Sequence, residues 1–183
     1  MTLASPPFEP LAEVVGRLED QGLVCALGGS GLLAALGLVD EVGDWDLTTD
    51  AGGDEVAAAL AGRAFERFGA SGVHADSKLV LDGGVIEVIS RFAMRSGADI
   101  VRLPTIVAGR WRGVPLGSPE VWAVAYHLLG REARTRTVLA HLDRAGADPA
   151  ALARLLGEPL PPSLRTRLEA LPRRSRRGPE GGG

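Results

Sequence analysis

The pentapeptide Asp44-Trp45-Asp46-Leu47-Thr48 constrains the fold more than any other stretch of this chain. Alternating polar and apolar residues mark a strand with one buried face, and Trp45 and Leu47 are bulky enough to demand a core behind them. Asp44 and Asp46 then share the other face, with Cα atoms roughly 6 to 7 Å apart. At that separation two carboxylates can share one or two divalent cations. Upstream, the apolar run 23–27 ends in Gly28-Gly29-Ser30-Gly31, and 32–36 with Gly37 behind it suits a brief helix stopped by a C′ glycine. The order is strand, glycine turn, helix, acidic strand, and such a turn lets a phosphate approach backbone N–H groups closely.

The rest of the chain divides in two. Ser5 and Pro6 resemble an N-cap and first helical position, and Phe8, Leu11, Val14, Val15 and Leu18 follow at helical spacing, so a first helix should run to about Gly22. After the acidic strand, Asp50 can cap a helix over about 54–63. Segments 73–81 and 85–89 flank Asp82-Gly83-Gly84 and predict a β-hairpin. Extended segments at 100–103 and 106–111 are broken by Pro104. Ser118-Pro119-Glu120 repeats the helix-start signature before a strongly apolar helix, and further helices are predicted near 132–145, 148–157 and 163–171. The expected fold is α/β, a mixed sheet flanked by helices and followed by a C-terminal helical region. Its expected organisation is a core over 1–115, a helical region over 116–172 packed on it, and a basic Gly/Arg-rich tail over 173–183 that needs no fixed structure.

Composition is that of an ordinary globular chain: 183 residues, 45% hydrophobic and 23% charged. The single cysteine, Cys25, lies in an apolar run and reads as a small buried hydrophobe, with no intrachain disulfide possible. No leader-like segment opens the chain and no apolar run is long enough to span a bilayer, so the expectation is a cytoplasmic protein without a membrane partner. Residues 161–183 hold 6 basic and 2 acidic side chains, against 14 and 21 in residues 1–160. That tail could touch RNA or another polyanion, but a solvated terminus explains it as well. Lys78 is the only lysine, and composition gives it no functional meaning. His74, His127 and His141 lack metal-ligand spacing, and the glycine turn lacks both the dinucleotide fingerprint and the P-loop lysine.

One more acid belongs with the pair. Glu87 interrupts Val85-Ile86-Glu87-Val88-Ile89, whose other members are all apolar, and a carboxylate there needs solvent, a partner or a metal. Gly28-Gly29-Ser30, a short helix, Asp44-x-Asp46 on a strand and Glu87 on a later strand together resemble the signature of the nucleotidyltransferase superfamily, whose fold is shared with DNA polymerase β. The likeness covers roughly residues 22 to 92. Residues 44–51, 66–69 and 86–88 also resemble the tRNA CCA-adding branch. That branch follows its glycines with Arg-Asp, however, where this chain has Leu32-Leu33, which points to the small stand-alone members. In many of those a Ser-Pro-Glu helix follows the sheet, as Ser118-Pro119-Glu120 does here, and a Lys-Asp pair sits near the helix end. This chain has Arg131-Glu132-Ala133-Arg134 in that place.

The resemblance implies that Asp44, Asp46 and Glu87 are catalytic and bind Mg²⁺ (or Mn²⁺), Glu87 standing where many members have aspartate. It implies that Gly28, Gly29 and Ser30 bind the triphosphate of an NTP. The implied activity moves an NMP to an acceptor hydroxyl on a small molecule, RNA or protein, with release of pyrophosphate. The alternative is an inactive nucleotide-binding or protein-interaction module of the same fold. Arg91 could contact a phosphate, and Arg102, Arg110 and Arg112 an acceptor, though all four also read as solvated arginines. Trp111 is the better candidate for stacking on a base, whereas Trp122, on an apolar helical face, reads as core.

Overall fold

The computed structural model describes residues 5–74 and 76–174. Strands β1 (Cys25–Leu27), β2 (Trp45–Thr49), β3 (Phe65–Phe68), β4 (Ser77–Leu81), β5 (Ile86–Ser90), β8 (Val107–Trp111) and β9 (Val114–Gly117) form a seven-stranded sheet in the order β3-β4-β5-β2-β1-β9-β8. The pairs β2–β5 and β1–β9 are parallel and the others antiparallel, so the sheet is mixed, as expected. Strands β6 (Ala93–Ser96) and β7 (Asp99–Arg102) make a separate two-stranded ribbon.

Alternation along the strands assigns each face. Trp45, Leu47, Ile86, Val88, Leu79, Leu81, Cys25 and Leu27 pack against α1 (Glu9–Asp20) and α3 (Gly53–Ala59) in one core. Beyond the sheet, Ile89, Phe92, Met94, Val101 and Leu103 join α2 (Gly29–Ala35) and the helices α4 (Pro119–Leu128), α5 (Glu132–Ala145), α6 (Pro149–Leu156) and α7 (Pro162–Glu169) in a second core. These four helices thus share one core with α2, the ribbon and Ile89 of β5. Cys25 is 1% exposed, and burial pushes its thiol up to about 12, so it stays protonated. Among the described residues no helix is long and apolar enough to cross a membrane.

Several local expectations are corrected. Ser5 does not cap α1: its hydroxyl accepts from Val42 N–H at 3.3 Å, and the helix begins at Glu9 with Pro10 in its first turn. The reason is tertiary, since Phe8 is held edge-on between Trp45 and Trp111 and Trp45 Nε1 donates to Pro7 O at 3.1 Å. Asp50 does not cap α3 either. Gly52 stands at the N-cap, Glu55 reaches back to its N–H at 2.7 Å, and Asp50 Oδ1 instead accepts from Thr105 N–H at 2.9 Å. The hairpin forms as predicted, β4 against β5. Strands β3 and β9 have no clear sequence signal: β3 is an exposed edge strand bearing Glu66 and Arg67, and β9 contains Pro115 and meets β1 only at Leu27 and Leu116. Of the expected tail, Arg173 and Arg174 pair with Ala147, and 175–183 lie outside the described residues.

A buried carboxylate ties the helical region together. Ser118 caps α4 by accepting from Val121 N–H at 3.3 Å and donates to Glu120 Oε2 at 2.5 Å, while Glu120 Oε1 accepts from Asp148 N–H at 2.7 Å at the start of α6. Glu120 is 1% exposed, so its removal would strand both donors away from water. Glu120→Ala is expected to lower stability by about 2–3 kcal/mol, and Glu120→Gln by less because it keeps one acceptor oxygen. Urea unfolding checks this; a loss below about 0.5 kcal/mol for the alanine variant would show that the clamp contributes little.

Candidate functional site

Parallel pairing of β2 and β5 puts Asp46 opposite Glu87, and their side chains project from the same face of adjacent strands. Asp44 immediately precedes β2 and is half-buried. On the far side of β5, Val80 of β4 is the register partner of Glu87 and Lys78 lies two residues along the same face. The Lys78 ammonium reaches back diagonally and stands 2.7 Å from Glu87 Oε2. Composition alone gave this lysine no role. The hairpin register gives it one, because alternation with Leu79 and Leu81 and a turn at Asp82-Gly83-Gly84 bring it beside Glu87.

The glycine turn abuts the acids from the other side. Gly28 N–H donates to Asp46 O at 2.8 Å. Gly29 adopts φ +53°, and a β-carbon there would stand 1.8 Å from Asp46 Oδ2; a β-carbon on Gly28 would stand 1.9 Å from Trp122 Cζ2. Both positions require the absence of a side chain. Ser30 is buried, and its hydroxyl donates to Asp44 O at 3.3 Å and accepts from Gly43 N–H at 3.4 Å. The side chain thus fastens the loop carrying Asp44. What this turn offers a ligand is backbone N–H, since the first amides of a helix have no intrahelical acceptor.

Burial raises the Asp46 carboxyl to about 7, with further upward pressure from the negative charges of Asp44 and Glu87 and partial relief from Lys78 and Arg131. Arg131 opens α5 at its N-cap, in the Arg131–Arg134 segment that stands in place of a Lys-Asp pair. Its charge reaches Asp46 because it follows directly on the end of α4, where Tyr126 also feels the Asp46 charge. In the last turns of α4, Tyr126 has a buried hydroxyl without a hydrogen-bond partner among the described residues, and the Arg134 guanidinium lies 5.6 Å from its ring centroid. Burial pushes the Tyr126 hydroxyl up to about 12.

Other candidates lie elsewhere. Trp111 does not stack toward the acids; it packs against Phe8 and Trp45 on the opposite face of the sheet. Arg112 covers the Phe8 ring at 4.0 Å and Arg110 pairs with Glu19 at 2.6 Å, so neither borders the acids. Trp122 is core, as predicted, between Phe92 and Tyr126. Arg91 and Arg102 line a cavity past the far ends of β2 and β5. Among the described residues no three His, Cys, Asp or Glu side chains are gathered tightly enough to cage an ion. The donor set nonetheless suits a hard dication: carboxylate oxygens only, and an Asp46 whose ionisation is opposed by its acidic neighbours. Asp44 and Asp46 need no rearrangement of a partner to serve, whereas Glu87 must first leave Lys78.

No protein-family model matches the chain, and no curated protein matches it in sequence. Its architecture does match solved structures. TM1012 of Thermotoga maritima, whose own assignment as a nucleotidyltransferase is provisional, superposes with a TM-score of 0.53 at 21% identity, covering 78% of this chain and 97% of that one. The crystal structure of ANT(2″)-Ia, solved with adenylyl-2″-tobramycin, gives 0.52 at 14% identity, covering 87% and 97%. The solution structure of the same antibiotic-resistance factor gives 0.51 at 15% identity, covering 87% and 89%. The chain thus shares its fold with these structures.

A carboxyl raised from 3.8 to about 7 binds a proton in the folded protein at pH values where the unfolded chain has released it. Folding stability therefore falls as pH rises from about 4 to about 7 and levels off above, by up to a few kcal/mol from this group. In EDTA, Asp46→Asn is expected to match the parent near pH 4 and to exceed it by about 2 kcal/mol near pH 8. Urea titrations at both pH values measure the difference; an equal offset at the two would remove Asp46 as its source.

Proposed function

We propose that this protein is a Mg²⁺- or Mn²⁺-dependent nucleotidyltransferase that moves an NMP from an NTP to an acceptor hydroxyl and releases pyrophosphate. One observation carries the reading: Asp46 and Glu87 stand side by side on parallel strands while the Asp46 carboxylate lies against the Gly29 backbone. Acids suited to a dication and amides suited to phosphate are thereby adjacent. The fold shared with ANT(2″)-Ia, which was solved with an adenylylated aminoglycoside, supports the same reaction class.

In this reading Asp44 and Asp46 hold the metal, and Glu87 joins them on leaving Lys78. The bound dication would neutralise the triphosphate and lower the barrier to in-line displacement at the α-phosphorus. The Gly29 and Ser30 backbone amides orient the β- and γ-phosphates, the Gly28 N–H being held by Asp46 O, and the Ser30 hydroxyl keeps Asp44 in position through its carbonyl. Arg131, whose charge reaches Asp46, would supply positive charge for the departing pyrophosphate, with Arg134 beside Tyr126 next to it on α5. The acceptor oxygen attacks the α-phosphorus, the α–β bridging P–O bond breaks, and Glu87 takes up the acceptor proton. A small molecule, an RNA end and a protein hydroxyl all satisfy this chemistry as acceptor.

The Lys78–Glu87 pair favours a second reading, a nucleotide-binding module that performs no transfer, because the ammonium already neutralises the third acid. Incubation with Mg²⁺ or Mn²⁺ and each α-labelled NTP, offering tRNA, protein extract and aminoglycosides, separates the two. Transfer is expected, reduced at least about 10³-fold in Asp44→Asn and Asp46→Asn. NTP binding without transfer to any acceptor would favour the second reading, and no metal-dependent NTP binding would sink both. Calorimetry with Mn²⁺ adds a readout independent of turnover: Lys78→Met should bind the ion more tightly than the parent if Glu87 is a ligand.

A further inference from the structure

A cavity of about 480 Å³ lies past the ends of β2 and β5, walled by the β6–β7 ribbon and by α6. We propose that it is a second ligand site, taking a small phosphomonoester that carries an apolar or aromatic body, and that it is independent of the acids. The proposal stands apart from nucleotidyl transfer.

Three arginines from separate parts of the chain line this cavity: Arg91 after β5, Arg102 at the end of β7 and Arg154 on α6. None of the three is in an ion pair among the described residues, whereas Arg17, Arg63, Arg67, Arg110 and Arg167 elsewhere on the surface each have a carboxylate within bonding range. Two acids also line the space, yet each spends an oxygen on the backbone of the wall. Asp50 Oδ1 accepts from Thr105 N–H at 2.9 Å and Glu158 Oε2 accepts from Arg102 N–H at 2.8 Å. These bonds fasten the 102–105 segment to the end of β2 and to the end of α6. The acids therefore frame the cavity while the guanidiniums of Arg102 and Arg154 stay available; that of Arg91 lies near Gly52 and Glu55 at the start of α3.

Arg91 holds a left-handed backbone at φ +53°, with its N–H donating to Thr49 O at 2.7 Å. A long side chain seldom adopts that conformation, and such residues recur where a side chain must be aimed. The apolar part of the lining is equally defined. Phe92 and Leu103 are buried, and Ile100, 41% exposed, leaves apolar surface open at the rim. Forked guanidiniums suit phosphate oxygens, and this volume lies within the usual range for small-molecule sites. Asp50 is four residues beyond Asp46 on β2, about 13 Å along the strand, so a molecule of this size in the cavity would not contact the acids.

Calorimetric titration of the full chain in EDTA with AMP, ribose 5-phosphate and inorganic phosphate tests this. EDTA removes metal-dependent binding at the acids. At least one organic phosphate is expected to bind, and more tightly than inorganic phosphate. AMP should bind more tightly than ribose 5-phosphate, because only AMP carries an aromatic body for Phe92, Ile100 and Leu103; the reverse order would overturn that assignment. Arg102→Ala and Arg154→Ala should each weaken binding about tenfold or more, with Asp44→Asn unchanged. Both arginines are exposed at the cavity wall, so thermal melts should show these variants folded. No binding of any probe at millimolar concentration, unchanged affinity in both arginine variants, or an equal loss in Asp44→Asn would each overturn the proposal.

Discussion

Two large side chains press on one dipeptide. The Trp122 indole lies where a side chain on Gly28 would be, and the Asp46 carboxylate where one on Gly29 would be. This double contact brings α4 onto the end of β1 and the start of α2 onto β2, so one pair of glycines joins the helical region to the sheet and the glycine turn to the acids. Any β-carbon here would have to displace a core indole or the Asp46 carboxylate, and both neighbours are held by other contacts. Trp122 sits in an aromatic row with Phe92 and Tyr126, and the Asp46 carbonyl accepts from Gly28 N–H.

The acids stand where two interiors meet. The face carrying Trp45 and Leu47 is sealed by α1 and α3. The opposite face is sealed at the Ile89 end by the ribbon and α4, leaving Asp46 and Glu87 at the other end beside Arg131. Strand alternation alone decides that division, since a slip of one residue in β2 would bury both aspartates and expose the indole of Trp45. Glu120 then matters at a distance: by linking α4 to the start of α6, it fixes the helix that carries Tyr126 and leads into Arg131.

What was legible in the sequence is what short-range periodicity encodes. The glycine turn, the alternating acidic strand, the Asp82-Gly83-Gly84 hairpin and the Ser118 cap each follow from a few adjacent residues, and all are present. The misses share one cause, a tertiary partner outbidding a local one. Ser5 and Asp50 are good caps locally, but Val42 N–H and Thr105 N–H claim their oxygens. Trp111 between two arginines looks like a solvent-facing ring, yet Phe8 and Trp45 enclose it. Of the candidate residues, the juxtaposition of Asp46 with Glu87 could be guessed from a familiar order of motifs, but the register that makes them neighbours could not. Ser30 shows the limit of motif reasoning, because its hydroxyl is turned to the Asp44 loop.

The electrostatics of the site argue that its negative charge is a constraint carried by the fold. Asp46 is desolvated beside two other acids, and among the described residues no side chain donates a hydrogen bond to its carboxylate; Lys78 is committed to Glu87 and acts on Asp46 only through its charge. A residue needed only for packing at that point would be better as asparagine or threonine, which fit the strand without opposing Asp44 and Glu87. The cations nearby are arranged unevenly: Lys78 is bonded on the β5 side, whereas Arg131 acts on Asp46 without an ion pair among the described residues. The site is thus neutralised at Glu87 and left under strain at Asp46. Relief from a hard cation would fall first on the Asp44–Asp46 side, and Glu87 would follow only as Lys78 yields its place.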